Sequence, residues 1–303
     1  MGTRAIAGVP GRGYGARMTL SAVVHLPRRR RILAATAALL AALILGGTAA
    51  PALAQDTDSG GSVSTGQGAG RAYVALGDSF TGGQGAPPYQ LGPCLRSKFA
   101  SYPAIAAAAS AYRLVSNNAC SGASLADVPG QLLGISGSTK LITITVGGID
   151  AGSNEVFAAC ALDPGSTGCQ AAVILSIARL AALAPQLAAT YAGIAAAVPG
   201  AKIVVLNYPR LFQPGILALG DIVNSGTDRL NAVIRDAVVS VGLARVSLVD
   251  VAQEFTNHGI GARLPFIAYD PANPLAKQNF HPNALGNSLG YVRALLHDGV
   301  LSR

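Results

Sequence analysis

From residue 71 onward, short aliphatic runs alternate with longer helix-like stretches, and this alternation restricts the fold more than any other feature. Strand-like runs cover residues 72–77, 112–116, 141–146, 202–206 and 245–251. Helical patterns cover residues 103–111, 170–198, 221–241 and 283–301, and Pro185 is expected to break the second of them in two. Strands separated by helices form parallel sheets covered on both faces. The sequence therefore predicts one α/β domain over residues 71–303, with no internal repeat.

The first 54 residues have the pattern of an export signal. They contain seven arginines and no Asp, Glu or Lys, whereas the remaining chain has 15 basic and 14 acidic residues. Seven of the eight net positive charges therefore lie in the first 54 residues, and the nearly neutral remainder predicts no binding of nucleic acid. Arginines at 28–31 precede an apolar run at 32–50, and the segment PALA at 51–54 ends in a small-x-small pattern. This order predicts a signal peptide over residues 1–54, cleaved after Ala54, and hence a secreted protein.

Two alternatives to this signal stay open. The apolar run of 19 residues approaches the length that spans a bilayer, which leaves an uncleaved membrane anchor as one of them. The four consecutive arginines leave twin-arginine export as the other. Residues 55–70 are rich in Gly, Ser and Thr, and they predict a flexible linker before the folded domain.

Four cysteines lie beyond the predicted signal: Cys94, Cys120, Cys160 and Cys169. An even number in an exported chain indicates disulfides, and four cysteines allow three pairings. Cys160 and Cys169 enclose a short loop and are expected to pair, which leaves Cys94 for Cys120. A zinc site is the alternative, but no CxxC motif or nearby histidine supports it. We expect neither a metal nor a cofactor.

The candidate nucleophile is a serine at the end of the first predicted strand. Residues 77–80 read GDSF, so Ser79 is expected at the sheet edge where open α/β folds bind their ligands. The segment after it can begin a helix, whose N–H groups would face developing negative charge. The triplet alone is weak evidence, because Gly, Asp and Ser are ordinary turn residues.

A serine nucleophile needs a base, and the chain has four histidines. His25 lies in the signal region, and His258 and His297 fit surface or packing positions. His281 lies between a polar loop and the last predicted helix, where Pro282 fits a helix start. An imidazole there can reach across the strand ends, so His281 is the candidate general base. A solvent-facing loop histidine is the alternative.

Four sequence blocks occur in order: GDSF at 77–80, ACSGAS at 119–124, TVGGIDAG at 145–152 and FHPN at 280–283. Together they resemble the SGNH hydrolases (GDSL esterases and lipases), particularly the secreted actinobacterial lipase and phospholipase branch, over nearly all of residues 71–291. The resemblance implies a flavodoxin-like, three-layer α/β/α fold with a five-stranded parallel sheet. It also implies hydrolysis of carboxylic esters, with fatty-acyl or other lipid-like esters favoured over acetylated sugars.

The resemblance implies a role for each matching residue. Ser79 would be the nucleophile and, together with Gly122, would supply backbone N–H groups to the oxyanion hole. His281 would act as the general base and then as the acid that protonates the leaving alcohol. The two expected disulfides match two of the three that are usual in that branch. An ordinary turn glycine beside a disulfide is the alternative for Gly122.

One departure from the family pattern concerns the oxyanion hole. Ile149 stands where the family has an Asn whose amide is the third donor, and losing one such donor typically lowers turnover by about 10²–10³. Either the two backbone donors suffice, or Asn118 or Asn154 replaces the missing amide, or the enzyme is degenerate. A plain loop residue is the preferred interpretation of Asn154, and Asp150 is expected to be structural.

The other departure concerns the acid of the triad. Gln278 stands where the family has Asp, but some members of the branch orient the imidazole with a backbone carbonyl. Asn279, two residues before His281, occupies the matching place, and Asp270 is the alternative acid. A carbonyl stabilises an imidazolium less than a carboxylate does. The preferred interpretation is therefore a Ser79–His281 dyad with slow turnover.

Hydrolysis through an acyl-enzyme on Ser79 is the leading prediction for function. Ile149 and Gln278 motivate a second prediction, that the protein binds lipids or glycans on the same scaffold without catalysis. The retention of Gly122 and His281 argues against it. The same residues also permit acyl transfer to another alcohol. We expect a monomer that acts on a small-molecule or lipid ester, with transient contact with a lipid surface.

Overall fold

The computed structural model describes residues 70–273 and 275–301, so the predicted signal peptide and nearly all of the predicted linker lie outside the described residues. Its centre is a five-stranded parallel sheet in the order β2-β1-β3-β4-β5. The strands are β1 (Arg71–Gly77), β2 (Tyr112–Asn117), β3 (Leu141–Thr145), β4 (Lys202–Leu206) and β5 (Val246–Val249). This strand order is the flavodoxin-like arrangement, and the predicted fold class is confirmed.

Alternating side chains explain why helices cover both faces of the sheet. In β1, the side chains of Tyr73 and Ala75 pack into one core cluster, and those of Val74 and Leu76 pack into the other. The first face is covered by α2 (Tyr102–Ala108), by a π-helical segment (Gly286–Val292) and by α7 (Arg293–His297). The second face is covered by α5 (Thr167–Ala197) and α6 (Ala218–Val241).

The expectation that Pro185 breaks the long helix is wrong. Helix α5 continues through this residue for 31 residues. Pro185 lies on the exposed side of the helix, where a carbonyl that loses its N–H partner can bind water. The opposite side carries large buried residues that hold both halves of the helix against the sheet: Leu180, Leu183, Leu187, Tyr191 and Ile194.

Several short elements complete the fold. They are α1 (Ser79–Gly82), α3 (Val128–Gln131), α4 (Ser153–Cys160), two 3-10 turns (Leu125–Asp127 and Ala252–Phe255), β6 (Ile267–Ala268) and β7 (His281–Pro282). The expectation that Pro282 begins a helix is wrong, because this residue belongs to β7, which pairs antiparallel with β6. The hairpin matters for function, since it determines where the backbone of His281 lies.

Both expected disulfides are present, Cys94–Cys120 and Cys160–Cys169. The first joins the loop after α1 to the loop after β2, and the second closes the connection between α4 and α5. With all four cysteines paired, the alternative of a zinc site built on them does not apply.

Candidate active site

The candidate site lies at the carboxyl ends of β1 and β3, where the strand order of the sheet reverses and open α/β folds bind their ligands. Gly77 ends β1 beside Thr145, which ends β3. Its φ is +121°, and a Cβ at this position would lie 2.1 Å from the Thr145 carbonyl oxygen. Only glycine fits so close an approach, so this position of the GDSF block lets the chain turn tightly into the helix that begins at Ser79.

Ser79 and His281 meet at this edge although they are 202 residues apart in the sequence. His281 Nε2 lies 2.8 Å from Ser79 Oγ, within the range for a base and its nucleophile. Nδ1 of the same ring lies 2.7 Å from the carbonyl oxygen of Asn279. If Nδ1 donates its proton to that carbonyl, Nε2 is the unprotonated nitrogen that accepts the serine proton.

Burial lowers the pKa of His281 to about 4, and the hydrogen bond with the Asn279 carbonyl only partly offsets this effect. The imidazole is therefore neutral at neutral pH, the state in which it can accept a proton from Ser79. The ring of Phe80 lies beside the imidazole, with 5.2 Å between the ring centroids. This contact contributes to the desolvation that keeps the base uncharged.

The alternative acid, Asp270, is used elsewhere. Its Oδ1 accepts from Ala272 N–H at 2.9 Å, and its own N–H donates to Asn279 Oδ1 at 2.9 Å. Asn279 Nδ2 donates to the Asn273 carbonyl at 2.9 Å, so side-chain bonds fix the residue whose carbonyl faces His281. Asp270 is thus a turn former that helps to aim a carbonyl.

Phe280 separates the carbonyl of Asn279 from the ring of His281, and its φ is +62°. This left-handed conformation is strained for a residue with a side chain, and the surrounding structure must hold it. The N–H of Phe280 donates to Ala268 O at 2.9 Å, and its ring packs against Phe157 of α4 with 4.9 Å between centroids. The β6–β7 hairpin and α4 therefore hold the turn that brings the carbonyl to Nδ1.

A buried network that the sequence did not reveal joins three strand ends. Asp78 Oδ1 accepts from Phe80 N–H at 2.9 Å and caps α1, while Oδ2 accepts from the hydroxyl of Tyr208, which follows β4. The same hydroxyl accepts from Gly148 N–H at 3.0 Å. Burial raises the pKa of Asp78 to about 7, although the hydrogen bonds from Tyr208 and Phe80 act in the opposite direction. Tyr208 thus links the residue before Ser79 to the Gly-Gly block after β3.

Two backbone N–H groups are available for a developing oxyanion. Those of Ser79 and Gly122 donate to no acceptor within the described parts of the chain. The loop that carries Gly122 lies against β1, because Cys120 N–H donates to Gly77 O at 3.0 Å. Gly122 has a φ of +76°, a conformation that favours glycine.

Ile149, which stands at the position of the family's amide donor, lines the main cavity. Asn118 is engaged elsewhere, because its Nδ2 donates to the Gln131 carbonyl at 2.8 Å. Asn154 is exposed on α4 and lines the same cavity. Asp150 accepts from Leu125 N–H at 3.1 Å, consistent with a structural role.

An apolar cavity of about 700 Å³ opens from Ser79 and His281 and extends between α4, α5 and α6. Its volume lies within the range of small-molecule sites. Its wall is mainly aliphatic and aromatic and includes Val156, Phe157, Ile177, Leu180, Val223 and Leu230. A second, more polar cavity of about 480 Å³ is lined by Gly122, Arg96 and Asp127. The larger cavity suits an apolar chain attached to a reacting group at Ser79.

Comparison with known proteins identifies the family of this chain. The GDSL-like lipase/acylhydrolase family matches residues 75–289. The chain belongs to this family. Its membership confirms the resemblance to SGNH hydrolases and identifies the protein as a carboxylic ester hydrolase of the lipase/esterase type.

Named relatives of this GDSL-family chain come from Streptomyces. A lipase from Streptomyces rimosus is 35% identical over 234 residues, covering 74% of this chain and 85% of that protein. Lipase 1 from Streptomyces coelicolor is 34% identical over 234 residues, with the same coverage of both chains.

Two solved structures extend the likeness. An extracellular lipase from Streptomyces rimosus superposes with a TM-score of 0.67 at 32% identity, covering 75% of this chain and 99% of that one. A phospholipase A1 from Streptomyces albidoflavus NA297 superposes with a TM-score of 0.69 at 33% identity, covering 76% and 99%. These comparisons support the placement of this chain in the actinobacterial lipase branch of the family.

Proposed function

We propose that this GDSL-family hydrolase cleaves fatty-acyl or similar lipid-like esters through an acyl-enzyme on Ser79, with His281 as the general base. The observation that carries the proposal is the position of one imidazole between two partners. Its Nε2 lies 2.8 Å from Ser79 Oγ, and its Nδ1 lies 2.7 Å from the Asn279 carbonyl oxygen. The carbonyl takes the place of the triad carboxylate, so the catalytic pair is a dyad.

In the first half of the proposed reaction, Ser79 Oγ attacks the ester carbonyl carbon while its proton moves to His281 Nε2. The carbonyl oxygen of the ester takes the electron pair of the C=O bond and becomes an oxyanion that accepts from the N–H groups of Ser79 and Gly122. When the C–O bond to the alcohol breaks, the imidazolium gives its proton to the departing alcohol oxygen. The acyl group remains on Ser79, and the imidazole is neutral again.

Water completes the cycle by the same route. It loses a proton to His281 Nε2 as its oxygen attacks the acyl carbon, and the second tetrahedral intermediate uses the same N–H donors. Collapse of that intermediate breaks the bond to Ser79 Oγ, which regains its proton from the imidazolium. The carboxylic acid leaves, and Ser79 and His281 are back in their starting states.

Turnover is expected to be slow for two physical reasons. The carbonyl of Asn279 fixes the tautomer of His281, but it lacks the negative charge with which a carboxylate stabilises the imidazolium. Ile149 removes one of the usual oxyanion donors, a loss of about 10²–10³ in turnover. The two backbone donors must therefore carry most of the stabilisation of the oxyanion.

The preference for lipid-like esters rests on the apolar cavity and on the surface next to it. Ile177 of α5 lines the cavity and is 42% exposed. Ile174 and Leu175 on the same helix are 66% and 59% exposed and add apolar surface to it. Exposed apolar side chains on a helix that borders an apolar cavity suit transient contact with a lipid surface. The relatives named lipase and phospholipase A1 agree with this preference.

We also propose export of this hydrolase with residues 1–54 as the signal peptide, residues 55–70 as the linker and residues 71–303 as the catalytic domain. The arginine-rich start followed by an apolar run supports the signal. Two disulfides in the described domain fit an oxidising compartment. N-terminal sequencing of protein recovered from the medium of a secreting host tests the cleavage site, which we expect after Ala54.

Release of p-nitrophenol from p-nitrophenyl butyrate and laurate tests the proposed chemistry. We expect Ser79→Ala to abolish hydrolysis above the uncatalysed rate, and His281→Ala to lower kcat by at least about 10². Ser138→Ala, at an exposed turn, serves as the matched serine control and should retain the wild-type rate. Equal rates for wild type and Ser79→Ala would refute the proposal. A folded wild type that hydrolyses neither ester would favour a binding protein on the same scaffold.

A further inference from the structure

Helix α6 contains a glycine, Gly226, at a position where packing leaves room for a side chain. Gly226 is the ninth residue of this 24-residue helix, in its interior, where glycine is less favourable than alanine. A Cβ at Gly226 would have no heavy atom within 4 Å. Gly220 on the same helix differs, because a Cβ there would lie 2.8 Å from the Phe212 side chain. Packing therefore requires glycine at 220 but not at 226.

The open space at Gly226 is part of the main cavity. Gly226 lines this cavity together with Ile222 and Leu230, which lie one helical turn before it and one turn after it. Leu230 is buried, and so is Val223, which is three residues from Gly226 and shares the inward face of α6. An added side chain at position 226 would therefore enter the cavity.

The cavity-lining face of α6 extends over two helical turns. Leu230 lies beside the Gly-Gly block after β3, because its Cδ1 would lie 3.7 Å from a Cβ on Gly147. Ile222, two turns before Leu230, packs against the cluster that contains Val156 and the Cys160–Cys169 disulfide. An acyl chain on Ser79 that runs along α6 from the Gly-Gly block toward this disulfide therefore passes Gly226.

We propose that Gly226 is a specificity-determining residue that keeps the cavity open to long acyl chains. The inference rests on the proposed function, because it takes the acyl group on Ser79 as the occupant of the cavity. A butyryl chain ends near the catalytic end, whereas a lauroyl chain needs the space beside Gly226. A large side chain at this position would divide the cavity and leave only its catalytic end for the substrate.

The test compares Gly226→Leu with Gly193→Leu, which is a matched control. Gly193 also lies inside a long helix, α5, and a Cβ there has no heavy atom within 4 Å, but it is exposed and lies outside the cavity. The measured quantity is the ratio of kcat/KM for p-nitrophenyl laurate to that for p-nitrophenyl butyrate. We expect Gly226→Leu to lower this ratio by at least about tenfold, the loss when two methylene groups are excluded from an apolar cavity. Gly193→Leu should keep the wild-type ratio.

A smaller substitution and a binding measurement keep the test decisive. Gly226→Ala should lower the ratio of kcat/KM values by about fourfold, which corresponds to the burial of one methylene group. This smaller change still tests the proposal if Gly226→Leu does not fold. Calorimetric titration with laurate reads the cavity without catalysis, and we expect the leucine variant to bind laurate at least about tenfold more weakly than wild type. If wild type hydrolyses no ester but this loss of binding occurs, the proposed function fails and the role of Gly226 stands. If esters are hydrolysed and neither the ratio nor laurate binding changes in Gly226→Leu, the role of Gly226 is overturned.

Discussion

Replacing Tyr208 by phenylalanine removes one buried oxygen atom and two hydrogen bonds that join strand ends at the candidate site. The hydroxyl donates to Asp78 Oδ2 and accepts from Gly148 N–H at 3.0 Å. Tyr208 and Asp78 are both buried, so water does not readily replace the lost partner. The substitution keeps the aromatic ring, which packs edge-on against Phe80 with 4.9 Å between centroids. Its effect is therefore that of the hydroxyl alone.

The magnitude follows from the two groups left without a partner. A buried polar group that loses its hydrogen bond costs about 1–3 kcal/mol, so the carboxyl and the N–H together predict a loss of about 2–6 kcal/mol. The hydrogen bond from Tyr208 lowers the pKa of Asp78, so that pKa, already about 7, should rise further in the variant. Displacement of the Gly-Gly block should also lower kcat by about 10–100-fold.

The pH dependence has a definite sign. A carboxyl whose pKa is raised by folding stabilises the protein at low pH, and that contribution is lost as the pH rises from the unfolded pKa through the folded one. A higher folded pKa for Asp78 in Tyr208→Phe extends the decline to higher pH. The stability difference between wild type and variant should therefore be larger at pH 8 than at pH 5.

Urea unfolding at these two pH values measures the difference, provided that the m-value does not change. Tyr191→Phe is the matched control, because the Tyr191 hydroxyl is fully buried yet has no hydrogen-bond partner among the described residues. Removing it should cost less than about 1 kcal/mol and can even stabilise the protein. If Tyr208→Phe lowers the free energy of unfolding by no more than Tyr191→Phe does, both at pH 5 and at pH 8, the hydroxyl of Tyr208 does not stabilise the fold.

Three further predictions test other parts of the site. The acid limb of the kcat/KM profile should have an apparent pKa near 4, because protonation of His281 removes the base; a limb near pH 6.5 would contradict the burial argument. Ile149→Asn should raise kcat by at least about tenfold, because the asparagine amide restores an oxyanion donor. Ile149→Ala is the control, and an equal kcat for the two variants would contradict a role for position 149 in the oxyanion hole. Replacing both cysteines of Cys94–Cys120 by serine should lower the free energy of unfolding by about 3–4 kcal/mol, measured by guanidinium unfolding. The same change at Cys160–Cys169 should lower it by about 2–3 kcal/mol. The first disulfide costs more to remove because it closes a loop of 26 residues, whereas the second closes a loop of 9. The opposite order would show that loop closure does not dominate.

Local patterns in the sequence predicted the sheet well, because strands buried on both faces leave unbroken aliphatic runs. The ordered blocks also indicated that Ser79 and His281 would share a site, and the structure places the two side chains in hydrogen-bond contact. The helix patterns were less informative. The pattern predicted that Pro185 breaks the long helix in two, but side chains before and after this residue pack onto the sheet and override the local preference.

What the sequence did not reveal depends on contacts between distant segments. The link from Asp78 to Tyr208 spans 130 residues and exists only because strand ends meet at one edge of the sheet. The role suggested for Gly226 is of the same kind, since an ordinary helix glycine differs from a cavity-lining one only in what faces it. The positive φ of Phe280 also has no local signal, because the hairpin and α4 impose it.

The most direct test of the central proposal is the site of covalent labelling by a fluorophosphonate probe, mapped by mass spectrometry of the digested protein. The probe reacts with a serine whose hydroxyl is activated by a neighbouring base. We expect one adduct, on Ser79, which disappears in Ser79→Ala, forms far more slowly in His281→Ala and is unchanged in Ser138→Ala. An adduct on a different residue, or no adduct on folded protein that hydrolyses esters, would contradict the proposal.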